Sequence, residues 1–438
     1  MKKDIVKDHH VVIIGGGFGG LYCAKKLGDT PFKVTLIDKR NYHLFQPLLY
    51  QVASGWLSPG DITSPLRGIL NRFKNITVFK AEVVGIEPQD KRVVLADGKI
   101  GYDSLILATG STQHYFGNDN WAELAPTLKT VEDSLRIRKK ILLAFEQAER
   151  EDDLKNIEEL LTFIIVGGGP TGVELAGTIG ELANTTLKND FRNIDTRKTK
   201  IYLIEGLNRI LPTYPDDLSN KAKKSLHKLG VDILESTMVT EVCKNEVKIK
   251  TSDQLRQINA RTILWTAGVK ASKLGYILSS KTGVEIDHIG RVMVSSYLNI
   301  PGFPDIFVIG DLANLSDEGG EPLPGVAPVA MQQGDFVAKL LKNQLKGKET
   351  EPFKYANKGN LAIIGRNSAV ADLGRLKFSG FLAWCIWVFI HIGYLIEFDN
   401  KIIVLFQWAS NYFTRKRGTR LITEEESYIL INNKKNIK

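Results

Sequence analysis

Two glycine-rich loops hold the residues best suited, by type and spacing, to bind a pyrophosphate. The first, Gly15-Gly16-Gly17-Phe18-Gly19-Gly20, follows the apolar run Val11-Val12-Ile13-Ile14 and precedes a helical stretch through Leu27. Glycines at Gly15, Gly17 and Gly20 make a G-x-G-x-x-G pattern. Their missing side chains permit a tight turn, close approach of a pyrophosphate and close helix packing, and the free N–H groups of the helix start favour an anion. The next apolar run, Lys33 to Ile37, ends in Asp38, 21 residues after Gly17. A carboxylate at that distance accepts hydrogen bonds from the ribose hydroxyls of an adenosine.

The plan recurs. Leu161 to Val166 leads into Gly167-Gly168-Gly169-Pro170-Thr171-Gly172, then a helix predicted from Thr171 to Leu187, then the strand Ile201 to Ile204 ending in Glu205. Gly169 and Glu205 are 36 residues apart, and the charged segment Lys188 to Lys200 reads as an inserted loop. Each copy closes alike, with Ala108-Thr109-Gly110 ending the strand from Ser104 and Thr266-Ala267-Gly268 ending the strand from Thr262. The closing glycine lies 93 residues beyond Gly17 in the first copy and 99 beyond Gly169 in the second. Between these landmarks, Thr77 to Lys99 and Ile233 to Arg256 alternate apolar and polar residues with turn signals such as Asp97-Gly98, the pattern of antiparallel strands.

These elements predict an α/β chain. It has two Rossmann-like dinucleotide-binding domains with antiparallel β inserts, followed by a C-terminal helical membrane-anchoring segment. A third strand, Asp305 to Ile309, ends in Gly310-Asp311 and precedes a helix from about Val329 to Leu345, so the first domain is expected to be discontinuous. The expected boundaries are 8–125 and 291–348 for the first domain, 126–290 for the second and 349–438 for the C-terminal region.

The remaining composition narrows the classes. The chain has 438 residues, of which 43% are hydrophobic and 24% charged, which excludes a wholly disordered chain. The net charge of +9 suits an anionic membrane surface, nucleic acid or an anionic cofactor, and does not choose among them. Cys23, Cys243 and Cys385 are far apart, form no CxxC or zinc spacing, and point to a reducing compartment without a metal site. No apolar h-region follows the charged start, so no secretory signal is expected.

With these landmarks in place the chain resembles the two-dinucleotide flavoprotein reductases, and within them the type II NADH:quinone oxidoreductases, from about His10 to Leu421. The most specific stretch is Asn41-Tyr42-His43-Leu44-Phe45-Gln46-Pro47-Leu48-Leu49-Tyr50-Gln51-Val52-Ala53-Ser54-Gly55, which resembles the flavin-flanking loop of that family. Pro324 to Gly334 resembles its quinone-side motif, with one departure: many members carry Gln where Pro328 stands, while a second Gln of the motif matches Gln332. No residue between Arg40 and Gly55 is Cys, which sets the chain apart from disulfide reductases and sulfide:quinone reductases.

The resemblance implies non-covalent FAD held by Gly15, Gly17, Phe18, Gly19, Gly20, Asp38, Lys39, Asn41, His43, Gln46, Pro47, Gln51, Val83, Ala108, Thr109, Gly110, Asp311 and Gln333. It implies NADH as substrate at Gly167, Gly169, Pro170, Thr171, Gly172, Glu205, Ala267 and Gly268. Glu174 and Gln332 are the implied catalytic residues, the first beside nicotinamide and flavin, the second at a helix start aimed at the flavin. Glu205 also argues for NADH, because its charge repels the 2′-phosphate of NADPH; Arg209 softens that preference.

Phe378 to Ile396 is a run of 19 residues without a formal charge, and a second apolar stretch spans Ile402 to Phe413. His391 and Gly393 in the first run, Glu397 and Asp399 after it, and the shortness of the second argue against a transmembrane span. Trp384, Trp387 and Trp408 suit a headgroup boundary, and Arg415, Lys416, Arg417 and Arg420 suit anionic lipid. The pair reads as two helices docked on one leaflet. The expected partners are a membrane quinone, the lipid bilayer surface and a second copy of the chain in a homodimer, with no nucleic acid. The expected place is the cytoplasmic face of the inner (cell) membrane. The expected reaction passes two electrons from NADH through FAD to quinone, without proton pumping. A soluble reductase serving a ferredoxin-like protein and a non-turnover flavin sensor are the alternatives.

Overall fold

The computed structural model describes residues 9–317, 319–396, 398–414 and 417–422. The chain divides into two compact units, Met1–Leu44 with Thr63–Thr112 and Val269–Lys358, and Phe45–Ile62 with Gln113–Gly268 and Gly359–Lys438. The helices used below are α1 (Phe18–Leu27), α2 (Leu49–Ala53), α3 (Pro170–Glu181), α4 (Ala327–Leu345), α5 (Phe381–Tyr394) and α6 (Phe398–Thr414).

The first unit is built on a six-stranded sheet in the order Asn299–Ile300, Phe303–Val308, Ser104–Leu107, His10–Ile14, Lys33–Asp38 and Ile76–Lys80. All neighbours are parallel except the first pair. The central strands are apolar throughout because helices or loops cover both faces. Val12, Ile14, Leu105, Leu107, Ile306 and Val308 share one buried cluster with Ile86 and Val93 of an antiparallel meander, Val83–Glu87, Arg92–Leu95 and Gly98–Gly101. On the sheet, α1 packs closely on α4: a Cβ at Gly334 would lie 2.2 Å from the Gly19 carbonyl oxygen, so only glycine allows the approach.

The second unit repeats the plan with four parallel strands in the order Val231–Leu234, Lys200–Ile204, Thr162–Val166 and Thr262–Trp265. Its meander is Thr237–Cys243, Glu246–Thr251 and Gln254–Asn259. Two expectations change here. The segments beginning at Thr77 and Ile233 open not as antiparallel strands but as the last parallel strand of each sheet. In Ile76–Lys80 the single buried side chain is Val78, and a half-exposed edge strand of this kind shows the same alternation as a meander. The helix predicted to reach Leu187 is α-helical only to Glu181, after which Leu182–Thr186 widens into a π turn.

The C-terminal part of this unit is a three-stranded antiparallel sheet, Asn360–Gly365, Ser368–Asp372 and Lys377–Gly380, followed by α5 and α6. The apolar run therefore begins as a strand and turns helical only after Gly380, whose φ of 72° breaks the extended backbone. Among the described residues no helix is long and apolar enough to cross a membrane.

Candidate functional site: two clamped glycine loops and two part-buried acids

In the first unit the glycine loop leaves its strand at Gly15, where φ is +105° and a Cβ would lie 2.4 Å from the Ala108 carbonyl oxygen, so only glycine fits. Among the described residues, Gly17 starts α1 without a capping side chain, and nothing stands within 4 Å of where its Cβ would be. The loop backbone is thus open at the helix N-terminus, where an anion is favoured. Asp38 clamps the loop: its Oδ2 accepts from the Gly16 N–H at 2.6 Å and its Oδ1 from the Arg40 N–H at 2.7 Å. Phe18 stands edge-on to His43, ring centroids 5.0 Å apart. Burial lowers the His43 pKa to about 4, so the ring is neutral, and its Nδ1 lies 2.9 Å from the Gly16 carbonyl oxygen.

Other residues of this unit converge on the same sheet edge. Ala108, Thr109 and Gly110 follow the strand Ser104–Leu107, with the Ala108 N–H bonded to the Ile14 carbonyl. Ser111 Oγ donates to Asp311 Oδ2 at 2.7 Å, and the Gln333 side chain accepts from the Gly310 N–H at 2.6 Å. Two buried side-chain atoms, Thr109 Oγ1 and His43 Nε2, have no hydrogen-bond partner among the described residues. With the open Gly17 and the clamped acid, they fit a bound dinucleotide. Lys39 is exposed and Val83 pairs with Leu95 in the meander. Asn41 engages through its carbonyl, which accepts from the Leu66 N–H. Gln332 is held through both ends of its amide to the backbone of Ala356, at 3.0 Å each, so its side chain is already engaged.

The second unit reproduces the clamp. Gly167 has φ +108°, Gly169 opens α3 with no described residue within 4 Å of its Cβ position, and Glu205 Oε2 accepts from the Gly168 N–H at 2.6 Å. Pro170 and Thr171 are exposed at the helix start, while Gly172 packs onto the Gly167 carbonyl. Gln113 Nε2 donates to the carbonyls of Ala267 and Gly268, at 2.7 Å each, fixing the closing loop. Glu174 is the second unit's perturbed acid. Burial raises its pKa to about 8, against an opposing hydrogen bond from the Ile363 N–H.

The loop expected to flank a flavin belongs, from Phe45 onward, to this second unit, with Gln46 and Pro47 forming a tight turn ahead of α2. Gln51 is turned inward: its Nε2 donates to the Tyr50 hydroxyl at 2.9 Å, and its Oε1 accepts from Trp408 Nε1 at 2.8 Å.

Three expectations for the C-terminal region are corrected. Trp387 and Trp408 are 1% and 6% exposed, so they pack into the body rather than standing at a headgroup boundary. Arg417 is 3% exposed. Its guanidinium donates to the carbonyls of Ser54 at 3.1 Å and Thr178 at 3.2 Å, and it lies 4.8 Å from the centroid of the Trp56 ring. It also stands 3.5 Å from Glu181, an acid that the sequence reading missed. Arg420 pairs with Asp190. Of the basic cluster, Arg415 and Lys416 lie outside the described residues. Spacing offered one signal for Glu181: it lies seven residues after Glu174, on the same helix face.

Comparison with known proteins places these features in one family. Residues 9–334 match the pyridine nucleotide-disulphide oxidoreductase family model, and residues 357–417 match the NDH2 C-terminal domain. The type II NADH:quinone oxidoreductase Ndh of Mycobacterium tuberculosis is 45% identical over 428 residues, covering 96% of this chain and 91% of its own length. The type II NADH:quinone oxidoreductase of Staphylococcus haemolyticus is 31% identical over 82% of this chain and 88% of its own. In fold, the NDH2 structure from Plasmodium falciparum in complex with NADH matches with a TM-score of 0.86 at 22% identity, over 95% of this chain and 100% of that one. The sulfide:quinone oxidoreductase structure from Aquifex aeolicus follows at a TM-score of 0.72 and 19% identity, over 95% and 96%. With its two clamped glycine loops and its near-complete overlap with these relatives, the chain belongs to the type II NADH:quinone oxidoreductases of the pyridine nucleotide-disulphide oxidoreductase family.

Proposed function

We propose that this protein oxidises NADH and reduces a membrane quinone with FAD as its prosthetic group. The observation that carries this reading is the duplicated clamp: each glycine loop opens a helix N-terminus and is held by an acid at the end of the next strand, Asp38 or Glu205. Two such loops suit two dinucleotides, and the relatives' names supply the reaction. FAD in the first unit, when bound, supplies the two-electron carrier between nicotinamide and quinone.

The chain's own residues then position and polarise. The Gly17 loop and the start of α1 hold the pyrophosphate, and Asp38 has carboxylate lone pairs left for the ribose. Ala108 to Gly110, with Asp311, Gln333 and His43, complete the FAD pocket. The Gly169 loop, Glu205, Ala267 and Gly268 hold NADH, and the Glu205 charge opposes a 2′-phosphate. Glu174, with its raised pKa, holds a proton at neutral pH and can release it to a developing anion. Gln332 fixes Ala356 and so shapes the quinone side through the backbone.

Membrane docking is the second part of the proposal. Phe389, Phe406 and Phe413 are 78%, 73% and 81% exposed on α5 and α6, and Phe381, Leu382, Ile402 and Leu405 are also exposed. Such side chains contribute about 1.5–3 kcal/mol each when buried, enough for a leaflet anchor without a spanning helix. The same apolar surface argues against a soluble reductase serving a ferredoxin-like protein. The cytoplasmic face and a homodimer belong to this reading.

The test is a spectrum of the purified protein, which should show bound flavin, bleach on NADH addition and recover on addition of quinone. Bleaching without recovery for any quinone would leave a flavin sensor; no flavin at all would overturn the reading.

A further inference from the structure

The overall reaction is NADH + H⁺ + quinone → NAD⁺ + quinol. NADH gives up a hydride, which carries both electrons and one hydrogen, and the second hydrogen of the quinol must enter as a proton from solvent. The second unit holds an arrangement suited to that uptake.

Glu174, Thr178 and Glu181 stand at i, i+4 and i+7 on one face of α3. Below the Thr178 and Glu181 end of this row is a cavity of about 40 Å³, walled by Trp56, Trp384, Trp387 and Trp408, with Tyr50 and Gln51 on the α2 side. At roughly 10–15 Å³ per water it has room for about three. It is aromatic but not apolar. The indole Nε1 atoms of Trp56 and Trp387 are buried and have no hydrogen-bond partner among the described residues, and Trp387 is only 1% exposed. Two buried donors call for acceptors, and a buried N–H left unmet costs about 1–3 kcal/mol. Water supplies acceptors to both indoles and still has protons to offer a carboxylate.

We propose that Glu181 and ordered water in this cavity take up the solvent proton and pass it along α3 to Glu174. The proposal rests on the function given above. The transfer is a pure proton hop: the Glu181 carboxyl loses H⁺ to water as an adjacent water gives H⁺ to the Glu174 carboxylate, and Glu181 is then reprotonated from solvent. The two carboxylates are separated by about 10 Å of helix rise; the cavity borders Glu181 and Thr178, and the path to Glu174 continues past Tyr50, which also lines it. Tyr50 is close enough to both for each to act on it. Its phenol oxygen accepts from Gln51 Nε2 at 2.9 Å, which leaves its O–H to donate, and its pKa is raised by burial and by the charges of both Glu174 and Glu181.

The charged neighbours set the poise of the pair. Glu181 faces Arg417, which follows α6, and its Oε1 accepts from the Arg366 N–H at the turn between the C-terminal strands. Burial raises the Glu181 carboxyl, while Arg417 and Arg366 pull it back down. Glu174 faces the Ile363 N–H and the phenols of Tyr50 and Tyr214, and Asp372 acts on Tyr214 in turn. Arg417 and Arg366 thus temper the effect of burial on Glu181, whereas no cation among the described residues does so for Glu174.

The experiment uses the flavin-loaded enzyme and two variants, Glu181→Gln and Thr178→Val. Glutamine keeps an acceptor for the Arg366 N–H and Arg417 but cannot titrate; valine keeps the volume of threonine but makes the cavity floor apolar. Both should leave the rate of flavin bleaching by NADH unchanged, lower quinone-dependent kcat about tenfold, and raise the solvent deuterium isotope effect on that half-reaction. Without substrates, an infrared pH titration should lose one buried carboxyl band in Glu181→Gln, and a high-resolution structure should show water bonded to Trp56 and Trp387. A dry cavity, or unchanged kcat and isotope effect in both variants, would overturn the proposal. So would a Glu181→Gln enzyme whose only defect is looser C-terminal helices at an unchanged pH profile, because Glu181 would then be only the counter-ion of Arg417. Failure of the wild type to bleach with NADH would instead sink the assigned function.

Discussion

Replacing Arg417 by Met should loosen the C-terminal helix pair more than any surface charge change. Met keeps an unbranched stem beside the Trp56 ring but removes the guanidinium that bonds the Ser54 and Thr178 carbonyls and faces Glu181. Removing one partner of a buried ion pair costs about 3–5 kcal/mol, because the other charge stays buried and uncompensated. In a unit of this size about 1 kcal/mol shifts Tm by roughly 2–4 °C, so the fall should be about 6–20 °C. The loss must depend on pH. Without Arg417 the Glu181 carboxyl is raised further by burial, and a carboxyl raised in the fold stabilises it below the unfolded pKa and loses that stability as pH rises through the folded one. The variant should therefore be worst at alkaline pH and recover towards pH values at which Glu181 is protonated. Thermal unfolding followed by tryptophan emission across a pH series measures this, with limited proteolysis between α5 and α6 as the local readout. A fall under about 2 °C at every pH, or a large fall independent of pH, would refute the buried-pair reasoning.

Gly17→Val should abolish FAD binding yet leave the protein folded, since no atom of the described residues lies within 4 Å of the new Cβ; flavin stoichiometry and Tm together check it. Glu205→Gln should reduce the preference for NADH over NADPH, measured as the ratio of kcat/KM values, and an unmoved ratio would assign the ribose to another residue. Glu174 is held at about 8, so the stability it lends is full at acidic pH and is lost as pH rises through about 8. Glu174→Gln should flatten that decline, and an unchanged Tm profile would contradict the burial of this acid. Changing Phe389, Phe406 and Phe413 together to Glu should release the protein from anionic vesicles and spare bleaching by NADH; continued vesicle binding in a flotation assay would refute the anchor. Deleting the chain after Lys377 is the poorer test, because it also removes Trp408 and Arg417, which are buried in the body.

What the sequence determined by itself is the local chemistry of each loop. Gly15 to Gly20 with Asp38, and Gly167 to Gly172 with Glu205, are short-range patterns fixed by strand, turn and helix rules, and their repetition reveals two dinucleotide sites. Even the 36-residue gap before Glu205 did not hide the second acid, because an excursion at residues 188–200 lengthens the chain without moving the strand that carries it. The clamp on each glycine loop was not legible, since it depends on where two strand ends meet in the sheet. Tertiary structure alone decided the fate of the C-terminal charges and tryptophans. Composition cannot tell a tryptophan or arginine at a lipid surface from one packed inside, and the structure places Trp387, Trp408 and Arg417 inside while leaving Phe389, Phe406 and Phe413 exposed. Glu181 became significant only when folding packed it against Arg417 beside a cavity, because a carboxylate's chemistry is set by its surroundings and those are assembled mostly from residues more than 100 positions away.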